Sequence, residues 1–393
     1  MKNKVIIIGI NHFNTLGLIR SFGVNGIYPH VILVNPSDIN NNYCIKSRYV
    51  RGYNIVKSDD DAIKVLLEQF YDDYQKPVLV PSSDGAIYTI DTHHNLLAEK
   101  YIIPHINHKQ GEIARLMNKA DQMLWAKEMG IPTAETYLID LYNEKWQTTE
   151  YPMPCIVKPV LSHEGNKEDI KRCETRDELY IHIKHLKDKG YFRVLLQKFI
   201  IKDYEMELFG TIMENRKEIP YILTKHLREW PEVGGSVCFH EFILDKELHR
   251  QAKTILEKIQ NYGFVGNFDI EIIYKDNVIY LNEINFRNSG DIYACFYNKI
   301  YYSYYSYLDM IGELDFPINL HYKNVYYAMC EDRDFKWVRE GMISFKEWLK
   351  LFFKTKDFAY FSWLDLPGTY AYYKKYNIIS LLIKTIKHRW VKR

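Results

Sequence analysis

The sequence predicts an α/β protein in which a parallel, Rossmann-like domain leads into a larger α+β part, and three observations carry that reading. Short apolar runs alternate with helical patterns over the N-terminal third. Further on, β-rich segments at 154–159, 195–210 and 224–239 follow one another with turn residues between them. Last, residues 266–290, GNFDIEIIYKDNVIYLNEINFRNSG, read as a hairpin whose charged residues share one face.

In chain order, KVIIIGI (4–10) is a buried strand followed by Asn11, His12 and a helical pattern through Arg20. VILVN (31–35) and VLVPSSD (78–84) are two more strands, with a helix at about 60–73 between them. Loops at the carboxyl ends of such parallel strands are where ligands bind. His12, Ser83 and Asp84 sit there, either facing a substrate or capping and turning the chain. The Gly9 segment lacks the full GxGxxG pattern, which weakens a dinucleotide reading.

A helix starts at Asn118-Lys119-Ala120-Asp121 and ends at Gly130, with Pro132 just beyond. By itself Lys119 is a solvated first-turn lysine. PCIVKP (154–159) embeds Lys158 in an apolar strand, where it needs a partner, an anionic ligand or a path to solvent along its stem. SHEGNK (162–167) follows with the single glycine Gly165 beside His163. LLQKFIIKDYEMELFG (195–210) reads as strand, linker and strand. TKHLREWPEVGGSVCF (224–239) sets Lys225, His226 and Arg228 ahead of a Gly234-Gly235-Ser236 turn. Those basic groups suit a phosphate or carboxylate, and equally an exposed strand end. An apolar, Tyr-rich helix over 292–311 reads as core.

The hairpin carries the most chemistry. Strands 267–274 and 278–287 flank Lys275-Asp276-Asn277, and a three-residue loop puts Asp269 across from Glu283 with Glu271 diagonal to it. Glu283, Asn285 and Arg287 share a face, and Tyr280, Ile284 and Phe286 lie on the other. Asp269 by itself is an ordinary polar-out position. Neighbouring carboxylates repel unless a cation lies between them, and an oxygen-only set suits a hard ion such as Mg²⁺.

The spacing of Glu271 and Glu283, with Asn285 and Arg287 following in NEINFR, resembles the metal-binding signature of the ATP-grasp superfamily. The resemblance covers roughly residues 1–310. It implies a Rossmann-like domain (1–115), an ATP-grasp domain (116–310, lid roughly 134–202) and a C-terminal extension (311–393). The implied activity is a carboxylate–amine ligase that phosphorylates a carboxylate with ATP and lets an amine attack the acyl phosphate. The implied metal ligands are Glu271, Glu283 and Asn285, holding two Mg²⁺ (or Mn²⁺) ions. Lys119, Lys158 and the His163–Gly165 loop would meet the nucleotide phosphates. Gln197, Lys198 and Ile200 would border the adenine, and Glu205 the ribose, leaving Glu207 structural. Arg287, Arg228 and Lys225 are the implied catalytic cations. The glycine-poor loop at 162–167 departs from the family pattern. The tail, REGMISFKEWLKLFF and FSWLDLPGTYAYY, is similar to that of D-aspartate ligase-like and envelope-polysaccharide-associated members.

Composition narrows the alternatives. Charged residues make up 26% of the 393, with a net charge of +2, which argues against nucleic acid as a partner. Six cysteines show no CxxC pair, and no stretch reaches membrane-span length, so a reduced, cytoplasmic protein is expected. IISLLIKTIKHRWVKR (378–393) forms a basic amphipathic helix suited to an anionic membrane surface, or to its own protein or a partner. A dimer is the commonest expectation for assembly. Two other readings share the fold: a non-catalytic ATP-binding regulator and a biotin carboxylase-like enzyme.

Overall fold

The computed structural model describes residues 3–35, 42–71, 75–160, 169–232, 235–318 and 325–375. The loop with His163 and Gly165, Gly234 and the basic segment 378–393 lie outside the described residues.

Apolar runs in the N-terminal third form the parallel strands β1 (Val5–Gly9), β2 (His30–Val34), β3 (Gly52–Val56) and β4 (Val78–Pro81), in the order β3-β2-β1-β4. β3 escapes the sequence reading because GYNIV is half-exposed along its length and shows no apolar run. The strand order reverses between β1 and β4, so their carboxyl ends open a crevice. The helix Phe13–Gly23 leaves that crevice buried on every side. It packs so closely on the turn Gly290–Cys295 that a Cβ on Gly17 would fall 2.3 Å from Ile292.

After the short β5 (His105–Ile106), a smaller antiparallel sheet is built from β6 (Thr136–Asp140), β7 (Cys155–Pro159), β8 (Lys171–Cys173) and β9 (Arg193–Lys198). Its order is β6-β9-β7-β8, backed by the helix Arg176–Asp188. The main sheet runs β14 (Val278–Asn285), β13 (Phe264–Lys275), β10 (Tyr204–Ile212), β11 (Tyr221–Trp230), β12 (Ser236–Phe242), β15 (Tyr327–Met329), β16 (Thr355–Phe358). Behind it lies the helix Lys246–Asn261. Its Leu248, Ala252, Ile255, Leu256 and Ile259 recur at helical spacing and bury one stripe against Phe268, Ile270 and Ile272.

Three expectations change here. The hairpin loop has two residues: Asp276 and Asn277 take φ of 49° and 65°, the paired left-handed turn that matches strand twist, and Lys275 pairs with Val278. A bulge opposite Glu271 and Ile272 then shifts the register, so Glu271 faces Glu283 and Asp269 faces Asn285. It also moves Tyr280 away from the apolar face, where Ile279, Leu281, Ile284 and Phe286 pack. The stretch 292–311 is a short turn and a separate helix, Tyr302–Met310, divided where Lys299 takes a φ of 58°. Finally, residues beyond 310 add β15 and β16 to the main sheet and so help to build it.

Candidate active site

On the open face of the main sheet, Glu207, Glu271 and Glu283 stand abreast on β10, β13 and β14. The next row holds Phe209, Asp269 and Asn285. Pairing of like charges has a visible consequence. Glu271 reaches solvent in the cleft, yet the protein crowding it, then the charges of Glu283 and Asp269, push its carboxyl up to about 7.

Cations converge on this row from two directions. The helix Lys119–Glu128 is capped by Asn118, which accepts from the amides of Ala120 (2.9 Å) and Asp121 (3.3 Å). Buried Gln122 then clamps the helix to β14, donating to Ile284 O (2.8 Å) and accepting from Ile284 N (2.7 Å). The clamp sets Lys119 Nζ 3.0 Å from Glu283 Oε2. From the smaller antiparallel sheet, Lys158 on β7 is buried. Burial, then Lys119, pushes its ammonium down to about 8, against the pull of Glu283 and Glu271. Arg287 donates to Asp269 Oδ2 (2.6 Å) and Asp84 Oδ1 (3.0 Å), which gives Asp269 a role its strand position alone does not suggest.

A cavity of about 350 Å³ opens beside this row. The loops after β1 and β4 wall it with His12, Ser83 and Asp84, the sheet with Glu205, Glu207, His226 and Glu271, and Arg287 and Arg333 also line it. His226 Nδ1 lies 3.0 Å from Glu229 Oε1 and 3.7 Å from Glu205 Oε2, with Nε2 3.3 Å from Glu207 Oε2. Burial alone would lower its pKa, but the bonds to Glu205 and Glu229 outweigh that and raise it to about 9. Burial would raise Glu205, and His226, Glu229 and Lys202 hold it down at about 2. A larger hollow of about 680 Å³, lined among others by Asn118, Asp121, Leu138 and Arg193, contains none of the candidate site residues.

Two expected catalytic cations are absent from this face. Lys225 alternates to the side of Met206 and lies 4.0 Å over the Tyr204 ring. Arg228 grips Asp334 with Nε and Nη2, both at 2.7 Å, and stacks 4.3 Å over Phe239. At the end of β9, Gln197 donates to Thr136 Oγ1 (2.9 Å), and the Lys198 amide donates to Glu135 O (2.8 Å). The same backbone bond anchors the start of the linker that carries Ile200 on to β10. Of the residues lining the cavity, Arg333 had no sequence signal, because it belongs to no motif and stands between acidic neighbours.

No protein-family model matches the chain. Among curated proteins it is similar to the formate-dependent phosphoribosylglycinamide formyltransferase of Methanocaldococcus jannaschii, 26% identical over 244 residues, or 60% of this chain and 59% of the relative. The Pasteurella multocida enzyme of the same name is 26% identical over 243 residues, covering 60% and 58%. The match thus spans under two thirds of either relative's length. Among solved structures, N5-carboxyaminoimidazole synthetase from Staphylococcus aureus, complexed with ADP, superposes with a TM-score of 0.65 at 16% identity, covering 87% of this chain and 86% of that one. The L-amino acid ligase from Bacillus licheniformis gives 0.62 at 13% identity, covering 83% and 80%. Mixed α/β architecture, paired acidic strands and these likenesses agree on one point: the chain has the ATP-grasp fold.

Proposed function

We propose that this chain is an ATP-dependent carboxylate–amine ligase that activates a carboxylate as an acyl phosphate and passes it to an amine, releasing ADP and phosphate. The observation that carries this reading is the facing pair Glu271 and Glu283, flanked by Asn285 and met by Lys119 and Lys158. ADP in the Staphylococcus aureus neighbour supports a nucleotide at this sheet.

The donor set fits a hard divalent cation. It is all oxygen, and burial, then the like charges of Glu283 and Asp269, raise the Glu271 carboxyl, a crowding of negative charge that a cation would relieve. Glu271, Glu283 and Asn285 would hold two Mg²⁺ ions, whose chemistry when bound would be to draw charge from the phosphoryl oxygens. Lys119, paired with Glu283, is within reach of a nucleotide phosphate bound beside that carboxylate. Lys158 supplies a second positive charge from the lid. Arg287, held by Asp84 and Asp269, presents its planar fork to acyl-phosphate oxygens. Glu205, kept ionised by His226, is suited to the ribose hydroxyls. Closure of the lid over the row would exclude water from the acyl phosphate.

Calorimetry should show ATP binding that depends on Mg²⁺, and a coupled ADP-release screen of acids against amines should require both substrates. Absence of Mg²⁺-dependent ATP binding overturns the assignment. Binding with no ADP release across the panel favours a non-catalytic nucleotide-binding protein.

A further inference from the structure

Three cationic side chains line the cavity, and two have their own counter-charges. Arg287 holds Asp269 and Asp84, and His226 sits among Glu205, Glu207 and Glu229. Arg333 makes no hydrogen bond or ion pair among the described residues; its guanidinium carbon lies 4.9 Å over the Phe13 ring. Burial opposes its charge, and nearby groups, Asp332 and Asp291 among them, favour it. None of them accepts its N–H groups, so a planar fork of free donors is left at the cavity wall, where it suits an anionic ligand.

Its orientation follows from its neighbours. The helix Glu331–Arg339 opens with Glu331-Asp332-Arg333-Asp334. Glu331 accepts the amides of Tyr360 (3.1 Å) and Phe361 (2.7 Å), and Asp332 accepts the Tyr372 hydroxyl. Asp334 takes the Arg228 fork and Trp348 Nε1 (2.9 Å). The three acids are thus engaged within the fold, and Arg333 is the member of the four that lines the cavity. Beside it, burial, then Arg333 and Arg287, hold His12 down at about 3, so its ring is neutral. His12 Nδ1 accepts the Asn14 amide at 3.4 Å, leaving the ring proton on Nε2 as a donor.

We infer that Arg333 forms an anion-recognising end of the substrate cavity, so that a substrate bound there carries a carboxylate or phosphate in addition to its reacting group. The identification of the anion as part of a substrate rests on the ligase reading; the anion site itself does not. Titration of the full chain with inorganic phosphate, succinate and succinamide, in the presence of Mg²⁺ and ADP, tests it. Either phosphate or succinate should bind the parent, and succinamide should not. Whichever anion binds, Arg333→Ala and Arg333→Gln should weaken it by about 10- to 100-fold, the range for a charge-assisted hydrogen-bonded pair. Arg333→Lys should recover part of that loss, and Mg²⁺-dependent ATP binding should be equal in all four proteins. Equal anion binding by parent and Arg333→Gln overturns the inference, as does a parent that binds neither anion. Loss of ATP binding by the parent would instead count against the ligase reading.

Discussion

Two charged clusters, one acidic and one basic, stand on neighbouring parts of one sheet, and they differ in how the chain uses them. On β13 and β14, Glu271, Glu283 and Asn285 face the cleft together. On β11, Lys225 points to the opposite side, and Arg228 is bound to Asp334, more than a hundred residues further along. The hairpin assembles from its own local sequence, because strand alternation and a two-residue turn bring its acids side by side. The direction of each β11 residue depends instead on bulges at His226–Arg228 and on the helix that packs beside it. Acidic pairs close in sequence are therefore safer guides to this site than isolated basic residues.

Substitutions can break or sharpen this contrast. Glu283→Gln should have the largest effect on activity, lowering ADP release by at least about 100-fold, as expected for loss of a charged group at a reacting phosphate. A coupled assay at saturating ATP measures it, and near-parental turnover would remove Glu283 from the site. Arg228→Ala should act on stability instead. It strands Asp334, whose side chain is 0% exposed, and should cost about 3–5 kcal/mol in urea unfolding while leaving ATP affinity intact. A selective loss of ATP affinity would return Arg228 to the catalytic group.

A smaller effect is expected from pH. His226 has a folded pKa of about 9 against 6.5 for the free side chain, so its contribution is complete below pH 6.5 and lost as pH rises to about 9. The parent's melting temperature should fall across that interval, and His226→Asn should flatten the fall; identical slopes would show that His226 stays neutral. Lys225→Ala should do least. Loss of its contact with Tyr204 should cost about 0.5–1 kcal/mol and leave ADP release unchanged.

Much of this site was legible before the fold was known. Glu271, Glu283, Asn285 and Arg287 sit within one hairpin, and Lys119 is announced by its Asn118 cap and the helix that follows. The register was not, because the bulge beside Glu271 adds one residue that alternation cannot reveal. Asp269 gained its partner from Arg287, and Asp84 reaches Arg287 from the start of the helix Asp84–Thr92 that follows β4.

The sequence by itself determined the apolar strands of the N-terminal sheet, the capped helix after Asn118 and which acids of the hairpin lie on a common face, because those features follow from local periodicity. The half-exposed β3 and the late strands β15 and β16 do not. Tertiary structure alone decided that Lys119 meets Glu283, that Arg228 supports Asp334, and that Arg333 enters the cavity. Each depends on packing between segments far apart in the chain, where burial and competition for partners set the direction of a charged side chain.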